Sequence, residues 1–166
     1  MNNIISDATP LIYLAKIEKI SLLKSLYNTI IISPEIKNEI VDEGKRLKEK
    51  DAFLIEKEIK DGFIEVIKVS NYIKPVFKID KGELSILSLA KELSIKDVLI
   101  DEKLARIAAK VEGLTPRGTL FVILKNLKLK LINFDDFLRI LNSLLEAGFR
   151  LKEEVYLKAI EEARKI

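Results

Sequence analysis

The run Thr29-Ile30-Ile31-Ile32, ending on Ser33-Pro34, most restricts what this chain can become. Three consecutive isoleucines leave no polar face, so the run predicts a strand buried on both sides. That is the signature of a parallel sheet with helices over each face. Ser33 then predicts an N-cap and Pro34 a first helical position, where a missing N–H costs nothing. The turn from strand to helix is therefore written into six residues.

The same grammar recurs along the chain. Ile4-Ile5 predicts a first strand, followed by a helix opened by Pro10 and lined by Leu11, Leu14 and Ala15. After the Pro34 helix, which carries Ile36, Glu39 and Ile40, a charged amphipathic helix is expected over 45–61, with Leu47, Ile55 and Ile59 inward and Gly62 as its stop. Phe63 to Val69 predicts a third strand near an edge, and Lys96 to Ile100 a fourth. Between them Asp80-Lys81-Gly82-Glu83 starts an apolar helix. Glu102 to Glu112 predicts a helix burying Leu104, Ile107, Ala108 and Val111, closed by Gly113. Leu114-Thr115 suggests a short fifth strand. Helices follow from Gly118, from Asn133 and from Lys152. Alternating strands and helices with short links define an α/β class. With 166 residues and no linker or repeat, we expect one domain over 1–166, residues 119–166 being an appended helical part of it.

Composition removes whole classes of chemistry. The chain has no cysteine and no histidine, so thiolate and imidazole metal sites and histidine-based nucleophilic catalysis are excluded. The net charge of +3 permits nucleic-acid binding without arguing for it. Abundant Lys and Glu, with Gln absent, resemble a thermophile's usage. No stretch approaches the roughly 18 uncharged residues of a membrane span, and no secretory signal pattern opens the chain. The expectation is a cytoplasmic protein without a membrane partner.

Four acids then stand out. Asp7 and Asp101 each follow a buried strand, where open parallel sheets place their sites. Each is equally a turn residue or helix cap on its own. Glu39 sits at i+3 from Ile36 on an apolar stripe, where a carboxylate needs a partner; it could instead edge the stripe and pair with a lysine. Asp80-x-x-Glu83 has the form of a capping box, which alone would account for Glu83. Glu102 adds a further acid beside Asp101. Together, such a set without nitrogen or sulfur donors favours hard cations, Mg²⁺ or Mn²⁺. Its natural chemistry is phosphodiester hydrolysis. A receiver domain would want an acidic pair after its first strand, and an Asp-x-Asp phosphatase an acid where Thr9 stands; neither fits.

The ordered set Ser6-Asp7-Ala8-Thr9-Pro10-Leu11-Ile12, Pro34 with Glu39, Gly82-Glu83, Leu99-Ile100-Asp101-Glu102, Ala105-Arg106 and Gly118-Thr119 resembles the PIN-domain family. That family includes many toxin ribonucleases of toxin–antitoxin pairs, of the VapC-like kind, and an uncharacterised subgroup with this opening motif. The resemblance implies a three-layer fold with four or five parallel strands, and metal-dependent cleavage of single-stranded RNA. It places the family's first, second and fourth acids at Asp7, Glu39 and Asp101. The third falls on Glu83, where the toxin families carry the shorter Asp. Asp7 and Asp101 would be the principal metal ligands, with Glu39 and Glu83 completing the site directly or through water. Thr9 would orient a carboxylate or water, and Ser6 would help hold the Asp7 carboxylate. Arg106 would contact an acid or a phosphate, or form a surface salt bridge. Thr119 would offer a helix N-terminus to a phosphate, or simply cap its helix. A homodimer and a small antitoxin protein are the implied partners. The alternative is a PIN scaffold that binds RNA or a protein without cutting.

Overall fold

The computed structural model describes residues 2–166. Five strands form one wholly parallel sheet: β1 (Asn2–Ser6), β2 (Tyr27–Ile32), β3 (Ile64–Val66), β4 (Asp97–Leu99) and β5 (Thr115–Arg117). Their order is β3-β2-β1-β4-β5. The chain winds outward from β1 to β3, then crosses to β4 on the other side. The switch point therefore lies between the carboxyl ends of β1 and β4, the crevice where such sheets bind ligands. β3 is an edge, as its sequence predicts. β5 is the other edge and starts one residue later than expected, which lets Pro116 sit where no further strand needs its missing N–H.

Ile30, Ile31 and Ile32 are almost wholly buried, as are Ile4, Ile5, Val98 and Leu99. Each such side chain contributes about 1.5–3 kcal/mol by leaving water. The helices supply both covers. They are α1 (Ala8–Lys16), α2 (Ser21–Lys24), α3 (Pro34–Lys37), α4 (Gly44–Arg46), α5 (Lys50–Lys60), α6 (Lys81–Glu92), α7 (Lys103–Val111), α8 (Thr119–Lys128), α9 (Phe134–Glu146) and α10 (Glu153–Arg164). A π-helical stretch, Asn38–Glu43, joins α3 to α4. α6 packs on β1 and β4, while α1 lies against α5. α8, α9 and α10 pack on one another, and Phe137, Leu141, Ala159 and Ala163 join the same core as β1. Among the described residues no helix is long and apolar enough to cross a membrane.

Several helix details depart from the sequence reading. α1 begins at Ala8, two residues before Pro10, so Asp7 rather than a later residue stands at its N-cap position. The helix expected over 45–61 is broken: Lys48 takes a left-handed conformation, φ 59°, and α5 restarts at Lys50. Leu47, at that break, is 68% exposed rather than inward, whereas Ile55 is fully buried. In α7 the buried face is Ala105, Ala108 and Ala109, and Leu104, Ile107 and Val111 face solvent. Three alanines at helical spacing let α7 lie close to its neighbours, and the larger residues are turned out.

Candidate active site

β1 and β4 are neighbours, with Ser6 opposite Leu99, and the Asp7 N–H donates to the Leu99 carbonyl at 2.9 Å. This bond fixes the chain direction just past the two strands. Asp7 and Asp101 therefore leave adjacent strands at the switch point. Asp7 is 7% exposed, and its side chain makes no capping bond to α1. Burial pushes its carboxyl up to about 7; the Ala8 N–H draws it back, and Glu83, Glu39 and Asp80 add repulsion. Ser6 is wholly buried, but its hydroxyl donates to the Asp7 backbone carbonyl at 2.8 Å. It holds the backbone of Asp7, not the carboxylate expected from the motif.

The Pro34 turn forms as its residues dictate. Ser33 Oγ accepts the Ile36 N–H at 3.1 Å and bonds Ser85 Oγ at 2.6 Å, tying this turn to α6. Ile36 and Ile40 are buried, and Glu39 stands beside them at the exposed rim, inside the π-helical stretch. Its carboxyl is raised by the surrounding protein, and further by Asp80 and Glu43. Among the described residues no ion pair reaches Glu39, so the lysine pairing considered for it does not form.

Glu83 closes a capping box. Its N–H donates to Asp80 Oδ1 at 2.7 Å, and its Oε2 accepts the Asp80 N–H at 3.0 Å. It is nonetheless nearly buried and raised, by burial first and by Asp80, Glu102 and Glu39 among its neighbours. Gly82 allows the approach. A Cβ there would lie 3.0 Å from Ile36 Cδ1, 3.3 Å from Asp80 Oδ1 and 3.7 Å from Glu39 Oε2. Asp80 thus belongs with these acids, which its capping pattern alone did not reveal.

Asp101 is held differently. Thr119 donates to it twice, from the backbone N–H to Oδ1 at 2.8 Å and from Oγ1 to Oδ2 at 2.6 Å. The N-terminus of α8 is thereby filled by a carboxylate from across a strand, instead of awaiting a phosphate. Burial raises Asp101, while Thr119 and the Arg106 guanidinium pull it back. Arg106 donates to the Ile100 carbonyl at 2.8 Å and forms no surface salt bridge among the described residues. Gly118 lets these groups meet, since a Cβ there would fall 2.8 Å from Asp101 Oδ1 and 3.3 Å from Arg106 Nη1. Glu102 caps α7 by accepting the Ala105 N–H at 2.8 Å. Thr9 and Asp101 both line a groove that runs off between helices.

Asp7, Glu39 and Glu83 are thus near enough to feel one another, and Asp101 stands on the next strand, tied to α8. Among the described residues no three acids are gathered closely enough to enclose an ion by themselves. The donor set still suits a hard cation, because Mg²⁺ binds through one or two carboxylates and keeps several waters. The chain's ion pairs all avoid Asp7, Glu39, Glu83 and Asp101 among the described residues. The negative charge of Asp7, Glu39 and Glu83 is left without a paired cation from that set.

A search of the curated proteins found no match. A family model described as a PIN domain matches residues 3–165, nearly the whole chain. With its parallel sheet, its covering helices and the acids at its switch point, this chain belongs to the PIN-domain family.

Proposed function

We propose that this chain is a Mg²⁺- or Mn²⁺-dependent endoribonuclease that hydrolyses phosphodiester bonds of single-stranded RNA, a cytoplasmic toxin-type nuclease acting as one domain. PIN domains are generally nucleases, and they typically use divalent metals. The observation that carries the reading is a buried Asp7 carboxyl at the end of the central strand. It faces Glu39, Asp80 and Glu83, and among the described residues no cationic side chain is paired to it. Burying charge this way is costly unless a cation shares the site. Asp7 and Asp101 would be the principal ligands, with Glu39 and Glu83 acting directly or through water. A bound ion would lower the pKa of a water and take up charge on the phosphate. The protein's own part is orientation. Thr119 fixes both oxygens of Asp101, and Ser6 fixes the peptide that carries Asp7. A small antitoxin protein and a homodimer are the partners this reading carries with it.

The test is a cleavage assay on single-stranded RNA with Mg²⁺ or Mn²⁺, repeated in EDTA. Metal-dependent cleavage that vanishes in Asp7→Asn and Asp101→Asn, with circular dichroism unchanged, is expected. Cleavage that survives chelation, or full activity in the Asp7 variant, overturns the reading. One observation favours a second reading, an RNA- or protein-binding scaffold without turnover: Glu83 is engaged in a helix cap and Asp101 in the α8 N-terminus. RNA binding without cleavage in Mn²⁺ would decide for it.

A further inference from the structure

One groove reaches Asp101 and Glu102 from the side of the appended helices. It has a volume of about 900 Å³, and its walls come from α1, α7, α8 and the 149–152 connection into α10. Five cations line it: Lys103, Arg106, Lys110, Arg150 and Lys152. None of them forms an ion pair among the described residues, although eight such pairs occur elsewhere. The acids in its lining are Asp101 and Glu102, both where the groove meets the switch point. Between the cations the surface is apolar: Ile107 and Val155 are about 40% exposed, 39% and 42%, and Phe121 and Leu151 are half-buried. Arg117 already stacks over the Phe121 ring at 4.5 Å.

We propose that this groove is the track that holds single-stranded RNA and leads it to Asp101 at the switch point, with the α9–α10 connection as one wall. The proposal deepens the nuclease reading and rests on it for the identity of the bound polymer. Unpaired cations spaced along an apolar, partly aromatic floor are what a single strand requires. Phosphates take the cations, and the bases lie on apolar and aromatic surface without regard to sequence. An acidic peptide would also match the cations. Continuity with Asp101 and Thr9 decides between them, because only a polynucleotide lying here brings a phosphodiester to Asp101. The outward turn of Ile107 in α7, against its sequence pattern, is accounted for if that side chain contacts a ligand. The C-terminal helices then do more than cover the sheet, since Arg150 and Lys152 come from the connection between them.

The test measures binding without turnover. A fluorescein-labelled single-stranded oligoribonucleotide is titrated with the full chain in EDTA, by anisotropy, at several salt concentrations. Lys110, Arg150 and Lys152 are all exposed, so replacing the three by Ala leaves the fold intact. The triple variant is expected to bind about 100-fold more weakly near 0.1 M salt, with a salt slope shallower by about 2. A control triple variant of exposed lysines outside the groove, Lys50→Ala, Lys68→Ala and Lys128→Ala, should stay within about 3-fold of the parent. Equal weakening in both variants, or parent-like binding by the groove variant, overturns the proposal. So does a parent protein that ignores RNA and binds an acidic amphipathic peptide. Groove-dependent RNA binding by a protein that never cleaves would sink the nuclease reading alone. Metal-dependent cleavage with parent-like RNA binding in the groove variant would sink this one alone.

Discussion

Asp7 and Asp101 share one sequence pattern, and burial raises both carboxyls, yet they end among opposite neighbours. Each comes after an apolar strand and stands just before a helix, and the two strands are neighbours. Asp101 gives both oxygens to Thr119 and has the Arg106 guanidinium nearby. Asp7 is placed among acids, makes no capping bond and is pushed up to about 7. The difference comes from the path of the chain beyond each residue. After Asp101 the chain returns, through β5, to lay the start of α8 against it. After Asp7 the chain enters α1 directly, and the elements that later approach, the π-helical stretch and the start of α6, bring carboxylates. One aspartate is thus held in place by protein donors, and the other has acidic side chains for neighbours.

The largest effect is expected from Asp7→Asn. A folded pKa near 7, above the ordinary 3.8, means the folded protein holds a proton that the unfolded chain has released. Stability from this group is therefore full below about 3.8 and is lost as the pH rises through about 7. The loss above pH 7 amounts to roughly 4 kcal/mol at 1.36 kcal/mol per unit. The neutral amide escapes it. In EDTA at pH 8 the variant should be the more stable by up to about that amount, and the gain should fade towards pH 4. Urea unfolding at the two pH values measures it. Cleavage should fall by about 1,000-fold or more. A variant no more stable than its parent at pH 8 would mean that the Asp7 carboxylate is satisfied by its surroundings.

Thr119→Val attacks the other side. It keeps the N–H bond and the buried volume but deletes the Oγ1 donor to Asp101. A hydrogen bond to a charged group is worth about 1.5–3 kcal/mol, so a loss of about 2 kcal/mol is expected where the Asp101 carboxylate is ionised. Asp101 should titrate at higher pH than in the parent, which carboxyl carbon NMR would show. An unmoved titration would mean that Thr119 contributes packing alone.

How much of this was legible beforehand divides along the same line. Local chemistry was: Ile30 to Ile32, the Ser33 cap, the Gly62 stop and the Asp80–Glu83 box each depend on a few adjacent residues, and each forms. The hidden part depends on distant segments meeting. The Thr119–Asp101 bonds join residues 18 apart in sequence, and only the β4–β5 pairing brings them together. The outward face of α7 could not be read from its pattern, because alanine and leucine both count as apolar and only the close approach of α7 selects alanine. Gly82 and Gly118 offered a weak signal, each standing beside a suspected site residue. Neither has the positive φ that explains Gly62, so their reason is a missing Cβ.

Gly118→Ala and Gly82→Ala turn that reason into a paired experiment. At 118 the new methyl would lie 2.8 Å from the Asp101 carboxylate, which Thr119 holds on both oxygens and which cannot retreat cheaply. At 82 the nearest atom is Ile36 Cδ1 at 3.0 Å, the end of a flexible side chain. A cost of about 1–2 kcal/mol is expected at 118 and under about 1 kcal/mol at 82. Thermal unfolding compares them, and equal losses would remove the claim that Asp101 is the more rigidly held acid.

The smallest stability effect carries the finest distinction. Glu83 is the acid whose two jobs coincide, since its Oε2 accepts the Asp80 N–H while the carboxyl faces Asp7 and Glu39. Gln at this position keeps the cap, because an amide oxygen accepts the same bond. Glu83→Gln should therefore unfold within about 0.5 kcal/mol of the parent where Glu83 is protonated. As the pH rises and Glu83 ionises it should gain slightly, because burial and its acidic neighbours raise the Glu83 pKa and the amide carries no charge. Cleavage separates the jobs. A loss of about 10-fold or more, beside an intact cap, assigns Glu83 to the cation with Asp7. Unchanged cleavage makes Glu83 a helix cap placed near the site, and leaves Asp7, Glu39 and Asp101 to hold the ion among themselves.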